Sequence, residues 1–299
     1  MSSIEKFVDK LGKGLVTGPT GRQGSPFAAP DQTSLTGSDP TSNLAKSSSS
    51  REVAINFERI SAMGILTLDQ SKNQLAEEYR AIKRPLLNNA FGKSAVAIPH
   101  ANLIMVTSAL PGEGKSFSAI NLAISMAAEM DRTVLLVEAD VAKPAVCQYL
   151  GVPEPDKGLV DYLAESKLNL ADLMLKTNVP KLSILPAGQR HVHSTELLAS
   201  ANMHELMEEL SQRYPDRVVI FDTPPLLLTS EAVVLAGLMG QIVLVVEAGK
   251  TPQSVVKDAV ALLNPNQIIG VLLNKSERGI GTGYGLYGYG GYGSYGGGV

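Results

Sequence analysis

Apolar runs alternate with segments of helical periodicity along most of the chain after residue 101. The runs lie at the start of 102–121 and at 133–138, 181–185, 217–221, 241–246 and 268–273. Helical spacing of apolar residues occurs at 116–129, 158–164, 195–213, 231–239 and 252–263. Because the runs are apolar throughout, they are typical of parallel strands covered on both faces. The pattern predicts an α/β fold with a doubly wound, mostly parallel sheet that binds ligands at the carboxyl ends of its strands.

The segments outside this region follow other patterns. Apolar residues at helical spacing predict a short amphipathic helix over 1–16, suited to an anionic membrane, a partner or the chain's own surface. Residues 17–52 are rich in Ser, Thr, Gly and Pro, which predicts a flexible linker. A helix is expected at 71–90, kinked or divided by Pro85. We assign 53–278 to the folded domain and 279–299 to a disordered tail.

Composition narrows the function classes. Hydrophobic residues make up 44% of the 299 positions, enough for a substantial core, and the net charge of −3 gives no global attraction to nucleic acid. The single cysteine, Cys147, excludes an internal disulfide and favours a reducing compartment. No apolar run has the length of a transmembrane segment. We therefore expect a cytoplasmic protein that meets a membrane only through a partner or a surface helix.

A glycine-rich turn connects the first apolar run to a helical pattern. Ala109, Gly114, Lys115 and Ser116 fit the phosphate-binding loop, with Ala109 where the strict pattern has glycine. The loop glycines permit backbone angles that direct successive N–H groups toward phosphate oxygens. Lys115 can reach the β and γ phosphates, and the Ser116 hydroxyl can hold Mg²⁺. The loop residues expected to bind the nucleotide are Pro111, Gly112, Glu113, Gly114, Lys115, Ser116 and Phe117.

Two strand ends bring carboxylates toward this loop. Asp222 directly follows the run at 217–221, where a carboxylate suits Mg²⁺. Asp140 follows the run at 133–138, where it can accept a proton from an incoming hydroxyl or orient it near the metal. The expected catalytic residues are Lys115, Asp140 and Asp222, and the expected metal ligands are Ser116, Asp140 and Asp222. This set predicts Mg²⁺-dependent phosphoryl transfer from ATP or GTP.

The acceptor of the phosphoryl group stays open at this point: water, a small molecule or a protein hydroxyl. Residues 279–299 carry no charge, eleven glycines and five of the nine tyrosines. Backbone freedom among glycines would let such tyrosines enter an active site, yet the same composition is typical of a low-complexity tail with no chemistry. These tyrosines are Tyr284, Tyr287, Tyr289, Tyr292 and Tyr295.

Four features in this order resemble the bacterial tyrosine autokinases: the loop at 109–116, the acidic motif around Asp140, Asp222-Thr-Pro-Pro, and the tyrosine-rich tail. Within that family, the sequence is most similar to the exosortase-associated (PEP-CTERM locus) autokinases of exopolysaccharide gene clusters. The segments that carry this closer resemblance are SIEKFVDKLG, LAEEYRAIKRPLL, PGEGKSFSAINLAISMA and GVLLNK. The resemblance covers the chain well from Ser71 to the end, and the N-terminal helix more loosely.

The resemblance implies a P-loop NTPase fold of the MinD/ParA type. It implies that Asp140 and Asp222 surround Mg·ATP together with Lys115 and Ser116. It also implies that Asn274, in an Asn-Lys pair after the last core strand, lies near the adenine.

The same resemblance implies an assembly. A helix motif, here Glu77, Arg80 and Lys83, mediates subunit contacts in ring-shaped homo-oligomers, and each tail is phosphorylated in a neighbour's active site. A membrane-spanning chain-length regulator of polysaccharide export activates the kinase. This partner would place the chain at the inner face of the plasma membrane.

The sequence departs from the family pattern at four positions. Glu138 stands where the second acidic motif usually begins with Asp, and its longer side chain could reach the metal through water. Ala142 stands where Arg is common, and Phe117 where Thr is common. Lys83 replaces the last Arg of the helix motif, which keeps the charge but loses the bidentate fork.

Two other interpretations remain. A MinD/ParA-like ATPase switch would use a second lysine early in the loop, but Leu110 occupies that position. A nucleotide-binding scaffold of a polysaccharide export complex is favoured only by Glu138 and Ala142.

Overall fold

The computed structural model describes residues 51–70, 73–92, 98–165 and 167–276. The strands are β1 (Arg51–Val53), β2 (Leu103–Ser108), β3 (Thr133–Glu138), β4 (Leu175–Thr177), β5 (Leu182–Leu185), β6 (Arg217–Asp222), β7 (Gln241–Glu247) and β8 (Ile268–Asn274). The helices are α1 (Phe57–Ala62), α2 (Gln74–Phe91), α3 (Lys115–Ala127), α4 (Val146–Leu150), α5 (Leu159–Ala164), α6 (Leu170–Leu173), α7 (Ser194–Leu198), α8 (Ala201–Gln212), α9 (Ser230–Leu238) and α10 (Gln253–Ala261).

The strands of the described region form one sheet in the order β1-β4-β5-β3-β6-β2-β7-β8. All neighbouring pairs are parallel except β4 with β5. Strand β6 lies between β2 and β3, so the carboxyl ends of three consecutive strands in the sheet meet at one edge. This is the edge at which doubly wound sheets bind ligands.

Both faces of the sheet are covered, as the unbroken apolar runs predict. Every residue of β2 is buried, and alternate side chains of the central strands belong to two separate hydrophobic clusters. Helix α3 packs on one face, where its apolar residues join the cluster of Ile104, Val134 and Ile220. Burial on both faces fixes the strand ends that carry the site. No helix among the described residues is long and apolar enough to cross a bilayer.

Three parts of the fold differ from the pattern-based expectation. Strands β1 and β4 have three residues each and carry polar side chains, so no apolar run marks them. The helix expected over 195–213 is two helices, because Ser200 caps the second through Met203 N. Helix α2 is not divided at Pro85 and continues to Phe91.

Of the three α2 residues that the resemblance assigns to subunit contacts, Lys83 does not share the exposed side of Glu77 and Arg80. Lys83 is only 5% exposed, and its ammonium donates to Ser125 O at 2.5 Å and pairs with Glu129 at 2.6 Å. A buried ammonium needs such acceptors, and they come from α3 and the residues that follow it. Lys83 therefore holds α2 against α3, whereas Glu77 and Arg80 pair with each other on the outer side of α2.

Candidate active site

The phosphate-binding loop joins β2 to α3, as the sequence predicts. Gly112 and Gly114 adopt left-handed backbone angles, with φ of 84° and 96°. A Cβ atom on Gly114 would also clash with the Asn274 amide, so glycine is required there for two reasons. The loop thus places backbone N–H groups and the N-terminus of α3 at the carboxyl edge of the sheet, an arrangement suited to phosphate groups.

Lys115, Asp140 and Asp222 meet at this edge. Lys115 Nζ lies 2.6 Å from Asp140 Oδ2 and 3.9 Å from Asp222 Oδ1, and 3.5 Å from the Ser116 hydroxyl. Burial disfavours the charged ammonium, but the carboxylates of Asp222 and Asp140 outweigh it and raise the pKa of Lys115. The four residues that the sequence identified from three separate segments therefore form one charged cluster.

Asp222 is the most unusual member of the cluster. It is completely buried, and within the described region neither carboxylate oxygen receives a hydrogen bond, although the Ser116 hydroxyl is near enough to lower its pKa. Burial raises the pKa of Asp222 from 3.8 to about 6, against the opposing effect of Lys115. Two buried carboxylate oxygens that lack a hydrogen bond and lie beside a buried hydroxyl suit a divalent cation that is also bound by nucleotide phosphates.

Glu138 has a different role from the one its position suggests. Its Oε2 accepts hydrogen bonds from Ala145 N at 2.7 Å and Val146 N at 2.8 Å, and its Oε1 accepts from Asp140 N at 3.3 Å. Burial, followed by repulsion from Asp222, raises the pKa of Glu138 well above its usual range. The carboxylate is thus held by backbone amides of the following loop, which positions Asp140 rather than reaching toward a metal.

Residues from β7, β8 and the loop after β7 brace the phosphate-binding loop. Buried Glu113 accepts hydrogen bonds from Leu110 N at 2.7 Å and from the Thr251 hydroxyl. Asn274 Nδ2 donates to Glu113 O at 2.8 Å, and Lys275 Nζ donates to Gly112 O at 2.7 Å. Sequence reasoning missed Thr251 and the contacts of Lys275, because no local pattern marks a hydrogen bond between residues more than 130 positions apart. Glu113 is expected to bind the nucleotide and Asn274 to lie near the adenine; in this structure the side chains of both residues contact the phosphate-binding loop.

An apolar groove of about 170 Å³, here called the acceptor groove, opens beside Lys115 and Asp140. Three prolines, Pro111, Pro224 and Pro225, form an apolar part of its wall. The other residues that line it include Gly112, Ala142, Lys143, Leu228 and Thr229. An apolar wall next to a charged cluster suits an aromatic ring whose hydroxyl must reach the charges.

Some residues named from the sequence lie elsewhere. Phe117 is half-buried and packs into the hydrophobic cluster under α3. Glu77 and Arg80 lie on α2 and outside this cluster of charges. The tail tyrosines and the amphipathic segment at 1–16 lie outside the described residues.

Comparison with known sequences gives a family and two informative relatives. The family model described as an AAA domain matches residues 101–250. The tyrosine-protein kinase YwqD of Bacillus subtilis is 32% identical over 227 residues, which cover 75% of this chain and 91% of YwqD. The succinoglycan biosynthesis transport protein ExoP of Rhizobium meliloti is 36% identical over 228 residues, covering 74% of this chain but only 27% of ExoP.

Solved structures show the same likeness. The kinase domain of the Escherichia coli tyrosine kinase ETK superposes with a TM-score of 0.62 at 28% identity, covering 75% of this chain and 84% of that domain. The septum site-determining protein MinD of Pyrococcus horikoshii gives a TM-score of 0.50 at 25% identity, covering 60% of this chain and 74% of MinD. The expected P-loop fold of the MinD/ParA type is thereby confirmed.

Proposed function

This chain belongs to the bacterial tyrosine-protein kinase family, and from that premise we propose that it phosphorylates its own C-terminal tyrosines in trans. ATP is the phosphoryl donor and Mg²⁺ the metal. The reaction takes place in a ring-like homo-oligomer and regulates exopolysaccharide biosynthesis or export. A membrane-spanning chain-length regulator holds the kinase at the inner face of the plasma membrane, as in an exosortase-associated system.

The observation that carries the phosphotransfer proposal is the position of Lys115 between two buried carboxylates beside an apolar groove. The loop N–H groups and Lys115 bind the phosphates, and Ser116, Asp140 and Asp222 would hold Mg²⁺. When bound, the metal neutralises charge on the phosphates and on the departing diphosphate. Asn274 fixes the loop through Glu113 O and would lie toward the nucleotide base.

The acceptor groove suits a tyrosine as the phosphoryl acceptor. A tyrosine ring against Pro224 and Pro225 directs its hydroxyl toward Asp140, which takes the phenolic proton. The phenolic oxygen then forms a bond to the γ phosphorus as the bond from that phosphorus to the ADP oxygen breaks.

The trans reaction is supported by the sequence of the last segment and by the family. Residues 279–299 carry five tyrosines in an uncharged, glycine-rich stretch. The link to exopolysaccharide is supported by the similarity to ExoP, a succinoglycan biosynthesis transport protein. The outer side of α2, with Glu77 and Arg80, is the surface we assign to the subunit contact.

Incubation of the full chain with Mg·ATP, followed by phosphosite mapping, tests this proposal. We expect phosphate on tyrosines within 284–295 and none in a variant with all five tail tyrosines changed to Phe. Absence of phosphotyrosine, even with a membrane partner supplied, would contradict it. ATP hydrolysis with nucleotide-dependent dimers, unaffected by deletion of 279–299, would instead support the ATPase switch.

A further inference from the structure

A second and larger cavity adjoins the acceptor groove. This side cleft has a volume of about 600 Å³, and its walls include Lys143, Pro144 and Arg190. Lys143 lines both cavities, and Ala142, its neighbour in the chain, lines the acceptor groove. The backbone from Ala142 to Pro144 is therefore a shared rim, and an extended peptide in the groove can continue into the cleft.

Two cations on this rim have no opposite charge bound to them. Lys143 Nζ makes no hydrogen bond or ion pair with any other described residue, and the Lys143 side chain is exposed. Arg190 Nη2 donates to Ala142 O at 3.1 Å, and no carboxylate of the described chain lies within ion-pair distance of the guanidinium. That hydrogen bond holds the guanidinium at the rim and leaves its other N–H donors directed to solvent or ligand.

The chain itself contains a segment that fits this arrangement. Residues 279–299 have no charged side chain, so the unmodified tail gives the two cations nothing to pair with. A phosphotyrosine adds close to two negative charges and three acceptor oxygens. Successive tail tyrosines are two or three positions apart, which corresponds to roughly 7–10 Å in an extended chain.

We propose that the side cleft binds a phosphotyrosine of the tail while the neighbouring tyrosine occupies the acceptor groove. Lys143 and Arg190 pair with the phosphate, with Arg190 able to do so through two N–H groups. The first phosphorylation would then favour the next one on the same tail. This inference rests on the proposed function and adds to it a subsite for the reaction's own product.

Two acidic residues of the side cleft allow a test of the sign of the electrostatic effect. Glu154 and Asp156 also line it, and neither forms an ion pair within the described chain. Their charges oppose a phosphate in the same cavity, so the affinity for phosphotyrosine is moderate and the product can leave. Removing them should strengthen the binding that Lys143 and Arg190 provide.

Peptide kinetics test the proposal with the full chain as the enzyme. The probes are a synthetic peptide of residues 282–295 and the same peptide phosphorylated on Tyr287. The measured quantity is the ratio of their KM values, so each variant serves as its own reference. We expect the phosphopeptide to have a KM roughly tenfold lower with the wild-type enzyme. The ratio should fall toward one for Arg190→Ala, partly recover for Arg190→Lys, and rise for Glu154→Gln combined with Asp156→Asn.

The outcomes separate this inference from the function on which it rests. If neither peptide is phosphorylated, although the enzyme binds ATP, the proposed function itself fails. If both peptides react with equal KM in the wild type, or if Arg190→Ala keeps the full ratio, the side cleft is not a phosphotyrosine subsite. A ratio that changes in the expected direction for both the basic and the acidic variants supports it.

Discussion

Lys115→Met is expected to lower autophosphorylation by roughly 10³-fold, because it removes the ammonium that we propose contacts the transferred phosphoryl group. Lys115 is also the cation that balances three buried carboxylates, those of Glu138, Asp140 and Asp222. Its removal leaves these charges uncompensated, so the variant should also unfold at a lower temperature. Phosphotyrosine is measured on intact protein, and stability by thermal unfolding.

A matched pair of variants separates these two effects. Lys115→Arg keeps the positive charge but replaces a compact ammonium by a planar fork, so it should retain most of the stability and still lose activity. Lys176→Met removes an exposed lysine of β4, at the far side of the sheet, and should leave both unchanged. Autophosphorylation of Lys115→Met at the wild-type rate would overturn the assignment of the site.

Asp222→Asn should have opposite effects on activity and stability. The amide cannot supply the negative charge that the proposed Mg²⁺ site requires, and we expect activity to fall by roughly 10²-fold or more. The same change removes a buried carboxylate whose oxygens accept no hydrogen bond among the described residues, while Lys115 keeps its 2.6 Å partner Asp140. In the absence of nucleotide the free energy of unfolding should rise by on the order of 2 kcal/mol at pH 7.5.

The stabilisation by Asp222→Asn should depend on pH. Because the pKa of Asp222 is raised to about 6 in the folded protein, the folded state binds more protons than the unfolded state between about pH 4 and 6. The wild type therefore loses stability as the pH rises through this window. The difference between variant and wild type should be small below pH 4 and largest above pH 6, as measured by urea unfolding at several pH values.

Asp216→Asn is the matched control, because Asp216 directly precedes β6, at the end of the strand opposite Asp222, and accepts a hydrogen bond from the Thr133 hydroxyl. It should change neither activity nor the pH dependence. A lower stability of Asp222→Asn at pH 7.5, or full activity, would contradict the role we assign to Asp222.

The parts of the fold that the sequence predicts are those with a strong local signal. The apolar runs mark the buried parallel strands, and strand ends at one edge bring Asp140 and Asp222 to Lys115. Glycine positions in the loop follow from backbone angles that other residues rarely adopt. These features follow from periodicity and from backbone chemistry, so a single sequence reveals them.

The remaining features depend on tertiary contacts that no local pattern records. Lys83 has the spacing of a surface charge, yet acceptors on α3 and after it make its burial favourable. Glu138 has the position of a metal ligand, yet the amides at the start of α4 take up its carboxylate. The bracing of the loop by Thr251 and Lys275 likewise depends on how β7 and β8 end beside it.

A mixing experiment tests the central claim most directly. A Lys115→Met chain with an intact tail is combined with an active chain in which all five tail tyrosines are Phe, and Mg·ATP is added. Neither chain alone can place phosphate on a tail, so the account predicts phosphotyrosine at 284–295 of the Lys115→Met chain only in the mixture. No phosphate on that tail in the mixture, under conditions in which the wild type modifies itself, would contradict phosphorylation between subunits.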